Sequence, residues 1–254
     1  MYQDLLFEIK GRIAVITINK PASLNALNKY VITELSEALT AANNDEQIRV
    51  IILTGSGEKA FVAGADIKEF ADFDSQQAES LAREGQNKLF NKVENLSKPV
   101  IAAINGFALG GGLELAMSCH LRFASTNARL GLPEVTLGLI PGYGGTQRLP
   151  QLVGKGIANE LIFSAEMVSA ERAYEIGLVN RVYDSEELLD KTIEFAEKIA
   201  RNSPLAIARA IEAVNCSNSR EGFDKEIRFF GELFELKDKQ EGVAAFLEKR
   251  KPNF

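Results

Sequence analysis

Two glutamates lie among residues that are otherwise small or apolar. Glu114 falls within FALGGGLELAMSC, residues 107–119, two residues after the last of three glycines. Glu134 falls within GLPEVTLG, where a proline and a valine flank it. Apolar surroundings raise the pKa of a carboxyl group by desolvation, and an ionised carboxylate is rarely buried without a partner. A carboxyl group whose pKa approaches neutrality suits general acid or base catalysis, so both residues are candidates for that chemistry.

Each glutamate also has an ordinary structural explanation. Glu114 would favour the start of a helix through the helix dipole, by a few tenths of a kcal/mol to about 1 kcal/mol. Glu134 would point from a loop into solvent. Taken singly, each residue is explained by its structural role, because the sequence alone does not bring the two side chains together.

Several other kinds of site find no support in the sequence. His120 is the only histidine, so a His-rich metal site or a Ser-His-Asp triad is hard to assemble, and we expect no metal and a structural role for His120 near a helix end. GFALGG lacks the spacing of a dinucleotide-binding loop, and Lys155 lacks the Ser or Thr that follows it in a P-loop. What is left is a pair of carboxylates and a set of backbone amides on glycine-rich turns.

Composition and charge are those of an ordinary globular chain of 254 residues, with 46% hydrophobic and 25% charged residues. Lys and Arg number 29 against 35 Asp and Glu, a net charge of -6, and they are scattered, so we expect no nucleic-acid partner. Cys119 and Cys216 lie far apart and form no CxxC pair, which favours free thiols in a reducing compartment. We see no targeting signal and no apolar run long enough to cross a bilayer, and therefore expect a cytoplasmic protein without a membrane partner.

The apolar periodicity predicts an α/β protein. LLFEIK and IAVITIN read as strands of a hairpin that turns at Gly11 and Arg12, and RVIILTG and PVIAAINGF read as buried strands. Helices are predicted over about 30–42 and 75–96, and LELAMSC forms another short helix before the extended segment LRFAS. EKAFVAGADI and GLPEVTLGLIPGYGGTQRLP are interpreted as turns because glycine, alanine and proline dominate them.

The chain becomes helical after about residue 185. Asp184 and Glu187 have the spacing of a capping box, and Ser203 followed by Pro204 is typical of an N-cap and a first helical turn. Four apolar residues share one face of a later helix, as in a core or a subunit interface: Phe223, Ile227, Phe230 and Phe234. We therefore divide the chain into an α/β core, residues 1–195, and a helical C-terminal oligomerisation subdomain, residues 196–254.

Four separated motifs, in order along the chain, resemble the crotonase, or enoyl-CoA hydratase/isomerase, superfamily: SLNALN, AFVAGADIKEF, INGFALGGGLELAMSC and GLPEVTLGLIPGYGGTQRL. The resemblance covers essentially the whole chain. It implies a crotonase-like spiral of repeated strand-strand-helix units followed by C-terminal helices, which build a homotrimer or, by doubling, a homohexamer. It also implies an acyl-CoA thioester as the substrate and no cofactor, since coenzyme A is part of that substrate.

The resemblance gives roles to individual residues. Glu114 and Glu134 match two catalytic glutamates that hold one water between them. Ala65 and Gly111 match the positions whose backbone amides form the oxyanion hole, where fixed donors stabilise the charge that develops on the thioester oxygen. Gly142 matches a position whose amide lies near the catalytic water.

The resemblance also assigns residues to coenzyme A binding, and the sequence departs from the family pattern at two positions. Six residues fall in segments that wrap the adenine and pantetheine, with Lys68 either meeting a phosphate or simply solvated: Leu24, Ala26, Ala63, Asp66, Ile67 and Lys68. His120 stands where many members have an acidic residue, and Leu132 stands where some hydratases have glutamine.

The resemblance implies an enoyl-CoA hydratase, a hydro-lyase of fatty-acid β-oxidation or related acyl-CoA metabolism. Such an enzyme adds water reversibly across the trans-2 double bond of an enoyl-CoA to give a 3-hydroxyacyl-CoA. Two other activities stay open, a 3-hydroxybutyryl-CoA dehydratase and an enoyl-CoA double-bond isomerase, although the presence of both glutamates favours hydration. A non-catalytic acyl-CoA- or RNA-binding oligomer is the alternative outside enzymes, and the two glutamates and the negative net charge speak against it.

Overall fold

The first two strands form the antiparallel hairpin that the sequence predicts. The computed structural model describes residues 2–254. Strands β1 (Leu5–Lys10) and β2 (Ile13–Ile18) pair in register, and Gly11 between them has a φ of +61°. Glycine adopts this left-handed conformation without the steric cost that a Cβ would bring, so the tight turn is explained.

Two sheets form the centre of the molecule. The further strands are β3 (Val50–Gly55), β4 (Ala60–Val62), β5 (Val100–Ile104), β6 (Phe107–Leu109), β7 (Leu121–Ser125), β8 (Arg129–Gly131), β9 (Val168–Ser169) and β10 (Arg181–Tyr183). The large sheet has the order β1-β2-β3-β5-β7-β10, and the small sheet has the order β4-β6-β8-β9. All pairs are parallel except β1 with β2 and β8 with β9. Strands β3, β5 and β7 are each followed along the chain by a strand of the small sheet.

Helices connect and cover the two sheets. They are α1 (Lys29–Asn44), α2 (Ser75–Gly85), α3 (Asn91–Glu94), α4 (Gly111–Ser118), α5 (Gly145–Ser164), α6 (Ala170–Glu175), α7 (Leu188–Ala200), α8 (Pro204–Asn215), α9 (Gly222–Leu233) and α10 (Lys237–Leu247). A π-helical turn, Gln86–Phe90, joins α2 to α3, so the helix predicted over 75–96 is present but locally widened. Helix α5 is kinked at Gly154.

The apolar faces of the helices explain why the sheets are covered on both sides. The four residues predicted to face the core from α1 are completely buried: Val31, Leu35, Leu39 and Ala42. On the opposite face of the large sheet, Leu188, Ala196 and Ala200 of α7 pack against residues of β2, β3, β5 and β7. Burial of these apolar side chains removes their surface from water and fixes the positions of the strand ends.

Three local predictions were wrong. Residues 60–62, interpreted as part of a turn, form β4, because their buried side chains and their pairing with β6 outweigh the turn-like composition. The end of the segment interpreted as turns, residues 145–150, opens α5. Asp184 and Glu187 form no capping box, since neither side chain caps α7 within the described chain, and the Asp184 carbonyl accepts the Leu188 amide instead.

The C-terminal helices begin as predicted at Ser203, whose Oγ accepts the Ala206 amide at 3.1 Å. Helix α7 crosses residue 195, so the predicted boundary falls inside a helix that packs on the sheet, and the division at 195 stays a prediction. The predicted apolar face of α9 is exposed in the single chain, with Phe223 78% accessible. Within residues 2–254, no helix has the length and apolar character needed to cross a membrane.

Candidate active site

Adjacent parallel strands of the small sheet bring four predicted site residues to one edge. Strand β6 lies between β4 and β8, and all three run in the same direction. Ala65 follows the end of β4, Gly111 and Glu114 follow β6, and Glu134 follows β8. Because the carboxyl ends of parallel strands lie along the same edge of a sheet, residues far apart in sequence meet there. This juxtaposition explains how the glycine-rich turns and the carboxylates form one site.

The backbone amide of Gly111 is available at the start of α4. The preceding residue, Gly110, has a φ of +50° and donates its own amide to Gly131 of β8 at 2.9 Å. Gly111 opens the helix, where an amide has no acceptor in the preceding turn. A Cβ placed on Gly111 would lie 3.8 Å from the amide nitrogen of Ala65, so the two residues predicted for the oxyanion hole are neighbours.

A bridge to Leu27 orients the amide of Ala65. Leu27 donates to the carbonyl of Gly64 at 2.9 Å and accepts from the amide of Asp66 at 2.7 Å. In a parallel bridge these contacts use the groups on either side of Ala65, so its own amide points away from Leu27. The amides of Ala65 and Gly111 therefore lie at the same edge of the sheet, where both can donate to one acceptor oxygen.

Glu114 is 1% exposed, and two backbone amides bind one of its oxygens. Oε1 accepts from the amides of Tyr143 and Gly145, each at 2.7 Å. Burial raises the pKa of Glu114 to about 7, and Glu134 adds to the rise when it is ionised, while the two amides oppose it. Desolvation thus explains why the pKa of Glu114 is raised, as the sequence predicts, and the carboxyl group titrates near neutrality.

The carboxyl group of Glu134 has fewer hydrogen-bond partners than that of Glu114. It begins the 3-10 turn Glu134–Leu137, and burial raises its pKa. A Cβ on Gly110 would lie 2.8 Å from Oε1 of Glu134, so this carboxyl group lies directly over the glycine turn. Its Oε2 is buried and has no hydrogen-bond partner among the described residues. An unpaired buried oxygen favours a protonated carboxyl group or a bound water, because an isolated charge there would be costly.

The loop that binds Glu114 was missed by the sequence analysis. Arg148 donates from Nη1 to the carbonyl of Tyr143 at 3.0 Å and forms an ion pair with Glu94 through Nη2 at 2.7 Å. Gly145 needs to lack a side chain, because a Cβ there would lie 3.0 Å from Glu114 Oε1. The glycine run in PGYGG was the available signal, although only Gly142 was taken from it.

Gly142 lies beside these groups without binding Glu114 itself. Its carbonyl accepts from Nε2 of Gln86 at 2.7 Å, which ties the loop to the π-helical turn. The residue is exposed, and a Cβ on it would meet nothing within 4 Å. Its role near a catalytic water stays a prediction.

The segments assigned to coenzyme A form the exposed side of the site. The amide of Ala63 donates to the carbonyl of Leu24 at 3.1 Å, which aligns the two segments next to Ala65. Leu24 and Ile67 are 38% and 49% exposed. The six residues lie at this mouth, half-buried or exposed: Leu24, Ala26, Ala63, Asp66, Ile67 and Lys68. The side chain of Asp66 accepts a hydrogen bond from the Lys68 amide at 3.2 Å and so caps a short turn. Lys68 is exposed.

Asn25 is a second residue that the sequence analysis missed. It is fully buried, and its side-chain nitrogen donates to the carbonyls of Ser56 and Ala60, at 3.1 and 2.8 Å. Leu24 and Asn25 both have a positive φ. Asn25 thus pins an unusual turn against β4 and fixes the mouth of the site. The SLNALN motif contains it, but nothing in local periodicity indicates the contact.

His120 lies outside this site. Its Nδ1 accepts the amide of Val100 at 2.9 Å, and burial lowers its pKa to about 4. The imidazole is therefore neutral at pH 7 and holds the start of β5, which agrees with the structural role expected for it near the end of α4.

The fold and the site define an α/β protein with two carboxyl groups beside a pair of backbone donors. The family model described as enoyl-CoA hydratase/isomerase matches residues 8–254. The chain is 47% identical over 253 residues to a short-chain-enoyl-CoA hydratase of Clostridium acetobutylicum, covering 98% of this chain and 96% of that one. It is 46% identical to a crotonyl-CoA hydratase of Syntrophomonas wolfei, covering 100% and 98%.

Solved structures agree with the sequence relatives. A crystal structure of an enoyl-CoA hydratase from Bacillus anthracis superposes with a TM-score of 0.92 at 43% identity and covers 99% of both chains. The chain belongs to the enoyl-CoA hydratase/isomerase family. The expected crotonase-like α/β spiral is confirmed, and so is the expected class of enzyme, a hydratase of enoyl-CoA metabolism.

Proposed function

We propose that the protein hydrates short-chain trans-2-enoyl-CoA thioesters to 3-hydroxyacyl-CoA, and catalyses the reverse dehydration at the same site. The observation that supports this most is the pair of carboxyl groups, Glu114 and Glu134, next to the amides of Ala65 and Gly111. The names of the two relatives, which specify a short-chain and a crotonyl substrate, support a short acyl group.

The amides of Ala65 and Gly111 would bind the thioester oxygen. As water adds to the substrate, negative charge moves onto this oxygen as an enolate. Backbone donors held on a glycine turn and a parallel bridge need no reorganisation to meet it. The contribution of one such donor is typically about a hundred- to a thousand-fold in rate.

The two carboxyl groups would divide the proton transfers between them. Glu114, whose Oε1 is stabilised as an anion by two amides, accepts a proton from water while the water oxygen bonds to C3. The C2–C3 π electrons then move onto the thioester oxygen. Glu134, whose Oε2 lacks a partner within residues 2–254, is the carboxylic acid that protonates C2 as the enolate collapses. Exchange of both protons with solvent after product release restores the starting state.

The reaction uses water and the thioester, so in this proposal coenzyme A enters only as part of the substrate and no separate cofactor takes part. The exposed segments around Leu24 and Ile67 would hold its adenine and pantetheine, and Gly142 would help to position the water. The exposed Lys68 would meet a phosphate of the coenzyme.

A homotrimer, or a homohexamer made from two trimers, is proposed for the assembly. The exposed aromatic face of α9 supports it, since a row of large apolar side chains in water is typical of an interaction surface. We also propose a cytoplasmic location, supported by two cysteines that are both free thiols.

A double-bond isomerase is the second candidate, since the family includes that activity. Isomerisation moves one proton between carbons and does not require two carboxyl groups around a water. Hydration is favoured because both carboxyl groups border the same glycine turn: Glu134 Oε1 would lie 2.8 Å from a Cβ on Gly110, and Glu114 lies one helical turn after Gly110.

Loss of enoyl-thioester absorbance with crotonyl-CoA tests the proposal. We expect rapid hydration by the wild-type protein and losses of roughly a hundred- to ten-thousand-fold in the Glu114→Gln and Glu134→Gln variants. Glu160→Gln, which changes an exposed glutamate on α5, is the matched control and should retain the wild-type rate. Near-normal rates in both site variants would contradict the mechanism, and a shifted double bond without hydration would identify an isomerase.

A further inference from the structure

The side chain of Tyr143 has no part in the proposed chemistry, although its backbone binds Glu114. The residue is 9% exposed. Its ring stacks on Phe90 with the ring centroids 4.6 Å apart and an interplanar angle of 11°. Phe90 ends the π-helical turn, and such turns often occur where a helix is shaped around a functional site. An aromatic pair at this point therefore calls for an explanation of its own.

The Tyr143 ring fills the space between two helices. On one edge, a Cβ placed on Gly85, at the end of α2, would overlap with Cε1 of the ring. On the opposite edge, a Cβ placed on Gly111 would lie 3.5 Å from Cδ2. The ring thus reaches from the backbone of α2 to the glycine that opens α4.

The loop that carries the ring is fixed on both sides. The Tyr143 amide donates to Glu114 Oε1 at 2.7 Å, and its carbonyl accepts from Arg148 Nη1 at 3.0 Å. Withdrawal of the ring by a movement of the loop would disturb the hydrogen bonds of Glu114. The Tyr143 and Phe90 rings therefore form a wall on a fixed backbone, and a longer ligand could displace the Tyr143 ring only by rotating it off Phe90.

The direction of the acyl chain follows from the proposed function, on which this inference rests. In that proposal coenzyme A would enter from the exposed side near Leu24 and Ile67, and the thioester oxygen would lie between the amides of Ala65 and Gly111. The acyl carbons would then continue past Gly111 toward buried side chains, since Leu27 and Tyr143 are the side chains next to Gly111. We propose that the Tyr143 ring, braced by Phe90, closes this inner end and restricts the substrate to short acyl chains.

The chain-length dependence of kcat/KM tests this role. Crotonyl-CoA and trans-2-octenoyl-CoA are compared for the wild-type protein and the variants Tyr143→Phe, Tyr143→Val and Tyr143→Ala. We expect the ratio of octenoyl-CoA to crotonyl-CoA turnover to rise at least about tenfold in Tyr143→Ala and to rise less in Tyr143→Val, because one methylene of fit is worth about tenfold or more. Tyr143→Phe keeps the ring and should keep the wild-type ratio.

Two further variants separate the pocket from general damage to the fold. Phe90→Leu removes the stacking partner without touching the loop and should raise the same ratio, so it serves if Tyr143→Ala does not fold. Tyr174→Ala replaces a tyrosine that is 57% exposed on α6 and should leave the ratio unchanged. Thermal melting and coenzyme A binding identify the variants that remain folded.

The outcomes distinguish this inference from the proposed function. Equal turnover of the two substrates by the wild-type protein, or a ratio within twofold of wild type in folded Tyr143→Val and Phe90→Leu variants, would overturn the role of Tyr143. Binding of the saturated thioesters butyryl-CoA and octanoyl-CoA gives the same comparison without turnover. A wild-type protein that hydrates neither substrate but still binds octanoyl-CoA better after Tyr143→Val would contradict the hydratase proposal and retain the wall.

Discussion

Glu114 and Glu134 lie in regions that hold a carboxyl group in different ways. Around Glu114, a loop that Arg148 fixes supplies two amides to one oxygen, and the side chain is buried within α4. Around Glu134, a short 3-10 turn precedes exposed apolar residues, and one oxygen is buried without a partner among the residues described. At Glu114 the two amides favour the anion, although burial outweighs them and raises the pKa to about 7; at Glu134 burial raises the pKa and no amide of another residue opposes it. The comparison supports a base at Glu114 and an acid at Glu134.

The largest expected effect concerns the cooperation of the two groups. If Glu114 and Glu134 act on one water and one substrate, their effects on the rate should not multiply, because residues that act as a unit are strongly non-additive. We expect the rate of the double variant Glu114→Gln/Glu134→Gln to lie within about tenfold of the rate of the slower single variant. Steady-state kcat/KM with crotonyl-CoA measures this. Losses that multiply across the two variants would mean that the carboxyl groups act independently.

A smaller loss of turnover is expected when the carboxyl group of Glu114 alone is displaced. In Gly145→Ala the new Cβ would lie 3.0 Å from Glu114 Oε1 and 2.7 Å from Cβ of Pro141, so the carboxyl group or the loop must shift. We expect a loss of about a hundred-fold in kcat, since a misplacement near 1 Å has costs of that order.

Gly156→Ala is the control for this change. It also adds a methyl group to α5, but its Cβ would meet nothing within 4 Å. It should retain the wild-type kcat. Equal rates in the two alanine variants would show that the position of Glu114 is not critical for turnover.

The smallest effect is a pH dependence of stability that belongs to the Glu114 region. Its folded pKa of about 7 lies above the ordinary value of 4.5, so between these pH values the folded protein binds more protons than the unfolded chain. Stability therefore falls as the pH rises through this window. The free energy of unfolding should decrease by about 3 kcal/mol more in the wild-type protein than in Glu114→Gln.

Denaturant unfolding of the two proteins at pH 4.5, 6 and 7.5 measures that difference. Glu160→Gln, in which an exposed carboxyl group is changed, should follow the wild-type curve. Parallel curves for the wild-type protein and Glu114→Gln would contradict the desolvation of Glu114.

The sequence predicts best the elements whose signal is local. The hairpin, α1 and β3 were found because their apolar periodicity or continuous β-branched runs match one buried face. Strands β4, β6 and β8 were not separated from their turns, since each has only three residues and its partners are distant in sequence. These short strands are what align the site.

The dependence on local signals also explains which residues of the site the sequence could indicate. Glu114 and Glu134 could be singled out because a carboxylate among apolar residues is unusual. The donors to Glu114 could not, because they are backbone amides 29 and 31 residues away and any residue type supplies an amide. The aromatic wall of Phe90 and Tyr143 likewise joins distant segments, and neither residue is unusual in its local sequence.

Exchange of the C2 protons of butyryl-CoA with deuterium oxide tests the division of labour most directly. This thioester has no double bond and no hydroxyl group, so only the group that faces C2 takes part. The account predicts that Glu134→Gln loses exchange by about a hundred-fold or more, while Glu114→Gln retains it within about tenfold. Loss of exchange in Glu114→Gln with retention in Glu134→Gln would contradict the assignment of base and acid.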